Sequence, residues 1–252
     1  MTVITPSAFP ISSQTSIADK EVLLKIKQLL GQLPSYTFLE IGSYLGGSMT
    51  PFLADANCSK ILSIDERERQ QPDERGAKYD YSGITHDTMI KNLQSHGFNT
   101  EKLEVFDGSI SQYPKKGEVY DFIFIDGEHT DWACFRDYIH AEKFFKHDCI
   151  VAFHDTNLVY KAIKIINELL AARNAHFKFI KAKDSAMSCL FFNQFASVDL
   201  DTLFLAEPDL DKFYLECEAE LLLAAARNRI TVTKPWRGEA VYSVKDAPLL
   251  SQ

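Results

Sequence analysis

The stretch FLEIGSYLGGS, residues 38–48, sets an apolar run around one acid, Glu40, and follows it with Gly42, Gly46, Gly47 and Ser48. Phe38, Leu39 and Ile41 read as a short buried strand. The glycines mark a turn where something approaches the backbone closely. Ser48 can cap a following helix, and Pro51 is tolerated in its first turn. The reading is therefore strand, glycine turn, helix.

That alternation repeats along the chain. KILSI (60–64), KLEVF (102–106), YDFIFI (120–125) and CIVAF (149–153) are further strand-like runs, and HFKFIKA (176–182) and SCLFFN (188–193) add two more. Between or before them, SIADKEVLLKIKQLLGQL, THDTMIKNLQSHGF, TDWACFRDYIHAEKFF and NLVYKAIKIINELLAA carry apolar residues at helical spacing. In the third of these, Trp132, Phe135, Ile139 and Phe144 form the expected core face. Short buried strands alternating with amphipathic helices predict a doubly wound α/β fold: a mostly parallel, seven-stranded sheet with helices on both faces.

The charged segment 65–83 reads as a solvated loop or, more sharply, a mobile flap. Beyond residue 195 the pattern changes to one long helix opened by Pro208 and a hairpin within ITVTKPWRGEAVYSV. Residues 1–195 are expected to form one domain with an N-terminal helix, and 196–252 an extension packed on it.

The chain has 252 residues and a formal net charge of -8. That sign argues against nucleic acid or an anionic membrane as partner. No apolar run is long enough to span a bilayer, and no secretory signal opens the chain, so a cytoplasmic location is expected. Five scattered cysteines without a C-x-x-C read as reduced thiols.

In doubly wound sheets, ligands bind beyond the carboxyl ends of the strands. Here those ends carry Glu40 with Gly42; Asp65; Asp107, Gly108 and Ser109; Asp126, Gly127, Glu128 and His129; and His154 with Asp155. A glycine turn followed some twenty residues later by a strand-terminal acid suits a ribose diol, held by Asp65. The glycines run G-x-x-x-G-G, without the close pair that admits a dinucleotide pyrophosphate. Glu40 beside the turn favours a cationic or amine-bearing ligand.

EIGSYLGGS, SID, DFIFIDGEHT and IVAFHDT together resemble class I S-adenosylmethionine-dependent methyltransferases. The branch is that of small-molecule O-methyltransferases, which includes catechol O-methyltransferase-like enzymes and bacterial sugar and antibiotic methyltransferases. The resemblance spans roughly residues 35–193. It implies that Glu40, Gly42, Ser43, Tyr44, Gly46 and Ser48 form the methionine end of the cofactor pocket, with Asp126 beside it. It implies that Asp65 binds the ribose and that Asp107, Gly108 and Ser109 lie near the adenine. The family's usual order at that last place is Gly then Asp; here it is reversed.

The implied activity is methyl transfer to a hydroxyl of a sugar, phenol or natural product. Asp126, His129 and His154 are the candidate catalytic residues. Asp126, His154 and Asp155 are candidate ligands of Mg²⁺ or another divalent cation. His154 stands where the metal-dependent enzymes offer an acid or amide, which leaves three readings open: a softer metal, His154 as base, or no metal. A nicotinamide-dependent oxidoreductase and a non-catalytic binding protein of the same fold are the alternatives. Substrate choice is expected to lie in residues 1–30, 65–84 and the C-terminal extension. Leu210, Phe213, Tyr214, Cys217 and Leu221 of the long helix form a face for the domain or for a second subunit, so a homo-oligomer stays open.

Overall fold

The computed structural model describes residues 8–114, 117–233 and 241–244. Its first helix, α1 (Ile17–Leu30), starts where Ser16 and Asp19 satisfy each other's backbone N–H groups in a capping box. It buries Val22, Leu23, Ile26, Leu29 and Leu30, whereas Ile17 faces solvent. Strand β1 (Tyr36–Ile41) leads through the glycine turn into the short α2 (Thr50–Leu53). Then come β2 (Cys58–Asp65), β3 (Gln70–Pro72), β4 (Lys78–Asp80), α3 (His86–Ser95) and β5 (Leu103–Asp107). The second half holds β6 (Tyr120–Ile125), α4 (Asp131–Ala141), β7 (Phe145–Phe153), α5 (Tyr160–Ala172), β8 (Phe177–Lys181) and β9 (Ser188–Phe192). Last come α6 (Leu200–Phe204), α7 (Leu210–Arg229), β10 (Ile230–Thr233) and β11 (Val241–Val244).

Seven strands form one sheet in the order β5-β2-β1-β6-β7-β9-β8. The pairs among the first five are parallel, and β9 runs antiparallel to both neighbours. Alternate side chains go to opposite faces. Phe38, Phe122, Phe124, Ile150 and Phe191 pack beneath α1, α2, α3 and α6. Leu39, Ile41, Ile123, Val151 and Phe153 pack beneath α4 and α5. This is the expected doubly wound, Rossmann-like sheet. The chain winds outward through β1, β2 and β5, then returns to place β6 and β7 on the other side. The direction of winding reverses between β1 and β6, and that is where the sheet opens a crevice.

Several local expectations need correction. Ser48 does not cap α2: the N-cap is Met49, which makes no side-chain cap, and the Ser48 hydroxyl donates to Glu40 Oε1. Within segment 65–83, β3 and β4 pair antiparallel, around a turn shaped by Asp73, whose Oδ1 accepts from Arg75 N and Ala77 N. Trp132 is 73% exposed and takes no part in the core, because the buried face of α4 is Ala133, Cys134, Asp137, Tyr138 and Ala141. The long helix forms as α7, and β10 and β11 make the expected antiparallel pair. Part of its predicted face packs inward: Cys217 is buried, Tyr214 meets Tyr160, and Lys181 Nζ sits over the Phe213 ring. All five cysteines are free thiols and buried.

Candidate active site

The glycine turn answers first to the protein's own backbone. Gly42 has φ +88°, and a Cβ there would lie 1.9 Å from the carbonyl oxygen of Asp126 and 2.7 Å from Gly127 N. So the end of β6 presses directly on the end of β1. At Gly47 a Cβ would meet Ser13 Cβ at 2.7 Å, because the N-terminal segment lies over the turn. Thr50 Oγ1 donates to Ala8 O and fastens that segment further back. The close approach legible in the sequence is thus made in large part by two other stretches of chain.

Between these stretches lies a cleft of about 600 Å³, lined by Ser13, Gln14 and Thr15, the glycine turn, Asp65, Arg67, Gln71, Tyr81 and the Asp126–His129 loop. Gly42, Ser43, Tyr44 and Ser48 line it, whereas Gly46 packs against Leu93. Glu40 is fully buried behind the turn, and its Oε2 has no hydrogen-bond partner. Burial pushes its carboxyl up to about 8, against the pull of the Ser48 hydroxyl and with Asp126 and Asp65 adding to the rise.

Asp65 Oδ2 accepts from Tyr44 N at 2.9 Å. Beside it Arg67, which the sequence reading missed, is almost fully buried. Its guanidinium donates to Tyr44 O, Ser63 Oγ and Asp107 Oδ1, and lies 3.5 Å from Asp65 Oδ2. The available signal was the D-x-R spacing after β2, which sends both side chains to one side while the chain stays extended. Asp107 therefore turns to Arg67 and His86, away from the cleft. Gly108 and Ser109 do line a second cleft of about 290 Å³, with Glu128, Arg136 and Asp137. Gly42, Asp65, Gln71 and Gly127 line both clefts.

The other bank is a cluster of charges. His154 Nδ1 lies 2.9 Å from Asp126 Oδ1 and 3.4 Å from Asp155 Oδ2. His129 Nε2 lies 3.2 Å from Asp155 Oδ2 and 3.7 Å from Asp126 Oδ1. Burial alone would depress both imidazoles, but the neighbouring carboxylates hold both above the ordinary value, His154 well above. Burial likewise pushes Asp126 up, and the two histidines overcome it and hold it low. All four predicted residues thus meet at the ends of β6 and β7. A fifth, Asp19 of α1, joins them through His154 Nε2 at 3.2 Å. The sequence reading gave Asp19 no role; in the fold it also completes the capping box with Ser16.

The β3–β4 hairpin stands beside this cluster. Glu74 N donates to His129 O, and Glu74 Oε1 accepts from Asp131 N. Tyr44, Tyr81, Tyr79 and His129 form a row of rings with successive centroids 5.6, 6.4 and 6.3 Å apart.

Residues 39–156 match the model of a family described as a methyltransferase domain. The match runs from β1 to just past Asp155, so it takes in the glycine turn and the acids and histidines of the second bank, but not Asp19. Among solved structures, the O-methyltransferase from Bacillus cereus in complex with SAH superposes with a TM-score of 0.54 at 16% identity, over 76% of this chain and 93% of its own. The O-methyltransferase NovP gives 0.55 at 10% identity, over 71% and 81%. Cofactor-bound Rv0187 from MTB gives 0.51 at 15%, over 74% and 85%. At these identities the likeness is one of fold. No match was found among curated protein sequences. Among the described residues, no helix is long and apolar enough to cross a membrane.

Proposed function

We propose that the methyltransferase domain uses S-adenosylmethionine and methylates a hydroxyl group of a small molecule, of the sugar, phenol or natural-product kind. The observation that carries this reading is the pair of neighbouring clefts that share Asp65 in their linings. An amino-acid chain, a ribose and a base need three successive compartments, and a diol needs an acid between the outer two.

S-adenosylmethionine supplies a methyl group activated by its sulfonium; transfer to an acceptor oxygen leaves S-adenosylhomocysteine and a proton. Glu40, buried with one oxygen unpartnered, receives the ammonium of the methionine moiety. Asp65 accepts from the ribose hydroxyls, and Ser109 and Asp137 flank the base. His129 faces the first cleft and has Asp126 and Asp155 beside it to stabilise its protonated form, so it takes the proton of the acceptor hydroxyl. The ring row from Tyr44 to His129 forms an apolar wall for the acceptor, and Gln14 and Thr15 face the same cleft.

Asp126, His154 and Asp155 fit a divalent cation. Their donor atoms lie within 4.8 Å of one another, and the buried His154 Nδ1 has no well-directed hydrogen-bond partner. One nitrogen and two carboxylate oxygens suit Mn²⁺, Fe²⁺ or Zn²⁺ better than Mg²⁺. A cation held there would lower the pKa of the acceptor hydroxyl.

The test is calorimetric titration with S-adenosylhomocysteine, in EDTA and then with Mg²⁺ or Mn²⁺. Saturable one-to-one binding is expected in EDTA. Absence of binding to folded protein in every condition would remove the proposal.

A further inference from the structure

Asp19 is 2% exposed and accepts three hydrogen bonds beside its contact with His154. Its Oδ2 accepts from Ser16 N at 2.8 Å and faces His154 Nε2 at 3.2 Å. Its Oδ1 accepts from Ser185 Oγ at 2.7 Å and Ala186 N at 2.8 Å. The donors come from the start of α1, the β8–β9 turn and the end of β7. A carboxylate held from three directions has one orientation. A capping box needs only the Ser16 bond, and helix-capping acids usually stand in solvent. Burying this one is costly unless the charge has a partner, and its partner is the imidazole of the active-site cluster.

The consequence for His154 is geometric. An imidazole has two nitrogens, and the partner of one decides what the other does. With Nε2 directed at Asp19, Nε2 is the permanent donor. Nδ1 is then the nitrogen turned to Asp126 and Asp155. Phe124 packs edge-on against the same ring and limits its rotation.

We propose that Asp19 is a positioning residue of the active site: it holds the Nε2–H of His154 and so presents Nδ1 to Asp126 and Asp155. It also makes α1 part of the site. The three residues that precede its cap, Ser13, Gln14 and Thr15, line the cleft, so one carboxylate anchors both the cleft's N-terminal wall and the ring opposite it. The inference concerns the site whose methyl-transfer role is proposed above, but the contact itself does not depend on that role.

The experiment is nitrogen-15 NMR of histidine-labelled full-length protein, with His154 assigned by the signal lost in His154→Gln. In the wild type, His154 Nε2 is expected to carry a slowly exchanging, downfield-shifted proton. An unprotonated Nε2 there overturns the proposal without any variant. In Asp19→Ala that proton signal is expected to disappear; an unchanged signal in the folded variant also overturns the proposal. Ser16→Ala removes the cap but not the contact, and is expected to lower Tm while keeping the signal. Loss of the signal in Ser16→Ala to the same extent would reduce Asp19 to a helix cap. S-adenosylhomocysteine titration of the same samples stands apart: failure to bind rejects the cofactor reading and leaves the Asp19 contact to the spectra.

Discussion

The two banks of the cleft are built by different means. The β1–β2 bank is shaped by backbone: a glycine turn, a hydroxyl on Glu40, and a buried arginine that ties Tyr44, Ser63 and Asp107 together. Most of its parts lie within thirty residues of one another, Glu40 to Arg67. The β6–β7 bank is shaped by charge. Asp126, His129, His154 and Asp155 come from two strand ends, and Asp19 reaches them across 135 residues. A backbone-shaped surface is set by where the chain approaches itself. A charge-shaped one sets protonation states and tolerates modest change in shape.

The harshest way to break this contrast is at Gly42, where the banks touch. Gly42→Ala sets a methyl group 1.9 Å from the Asp126 carbonyl oxygen, at a φ that side chains rarely adopt. Neither strand end can retreat without losing the Asp126 N to Ile41 O bond. A destabilisation of about 4 kcal/mol or more is expected, read by denaturant titration. A small effect would show the two ends to be loosely joined.

Glu40→Gln tests the buried acid of the shape-built bank. Cofactor affinity is expected to fall about a hundredfold, as for loss of a charge-assisted hydrogen bond. Stability should move the other way, in a pH-dependent manner. The folded protein holds the Glu40 proton up to about pH 8, whereas the unfolded chain releases it near the ordinary carboxyl value of 4.5. Between those values the native state binds more protons than the unfolded one, so this group's contribution falls as pH rises and levels off above about 8. Glu40→Gln is therefore expected to raise Tm at pH 8.5 and to change it little at pH 4.5. The same linkage predicts proton release when S-adenosylhomocysteine binds at pH 7, measured by calorimetry in buffers of different ionisation enthalpy. Zero release would take Glu40 out of contact with the ammonium.

A smaller effect is expected at Asp65→Ala: cofactor affinity weaker by at least about tenfold, since a two-hydroxyl contact is lost. The folded state should survive, because Arg67 keeps Tyr44 O, Ser63 Oγ and Asp107 as partners. Unchanged affinity would place the ribose elsewhere and divide the two clefts between different ligands.

What was legible in the sequence follows the same division. The strands and their buried runs could be read because burial on both faces leaves continuous apolar runs such as YDFIFI. Glu40 and the strand-end acids could be read because the fold puts ligands at strand ends. The β3–β4 hairpin could not, since its residues are charged and its pairing is set by Asp73 folding back on Arg75 and Ala77. Trp132 misled because helical spacing identifies a face without saying whether every member of it is covered. Asp19 could not be read, because nothing in residues 16–19 points to a histidine 135 positions away.

Asp107→Ala carries the smallest expected effect and separates family expectation from geometry most cleanly. The resemblance puts residue 107 at the adenine, where its loss would weaken the cofactor as Asp65→Ala does. The structure turns its half-exposed carboxylate to Arg67 and His86. Exposed ion pairs contribute about 1 kcal/mol or less. Arg67 keeps its other acceptors, and Gly108 and Ser109 still line the second cleft. Affinity for S-adenosylhomocysteine is then expected to stay within about threefold of wild type, with stability lowered by under about 1 kcal/mol. A tenfold loss would mean that the Asp107 side chain swings from Arg67 to the base on binding. The shape-built bank would then be completed by its ligand, and the contrast with the charge-built bank, whose partners are already engaged, would become sharper.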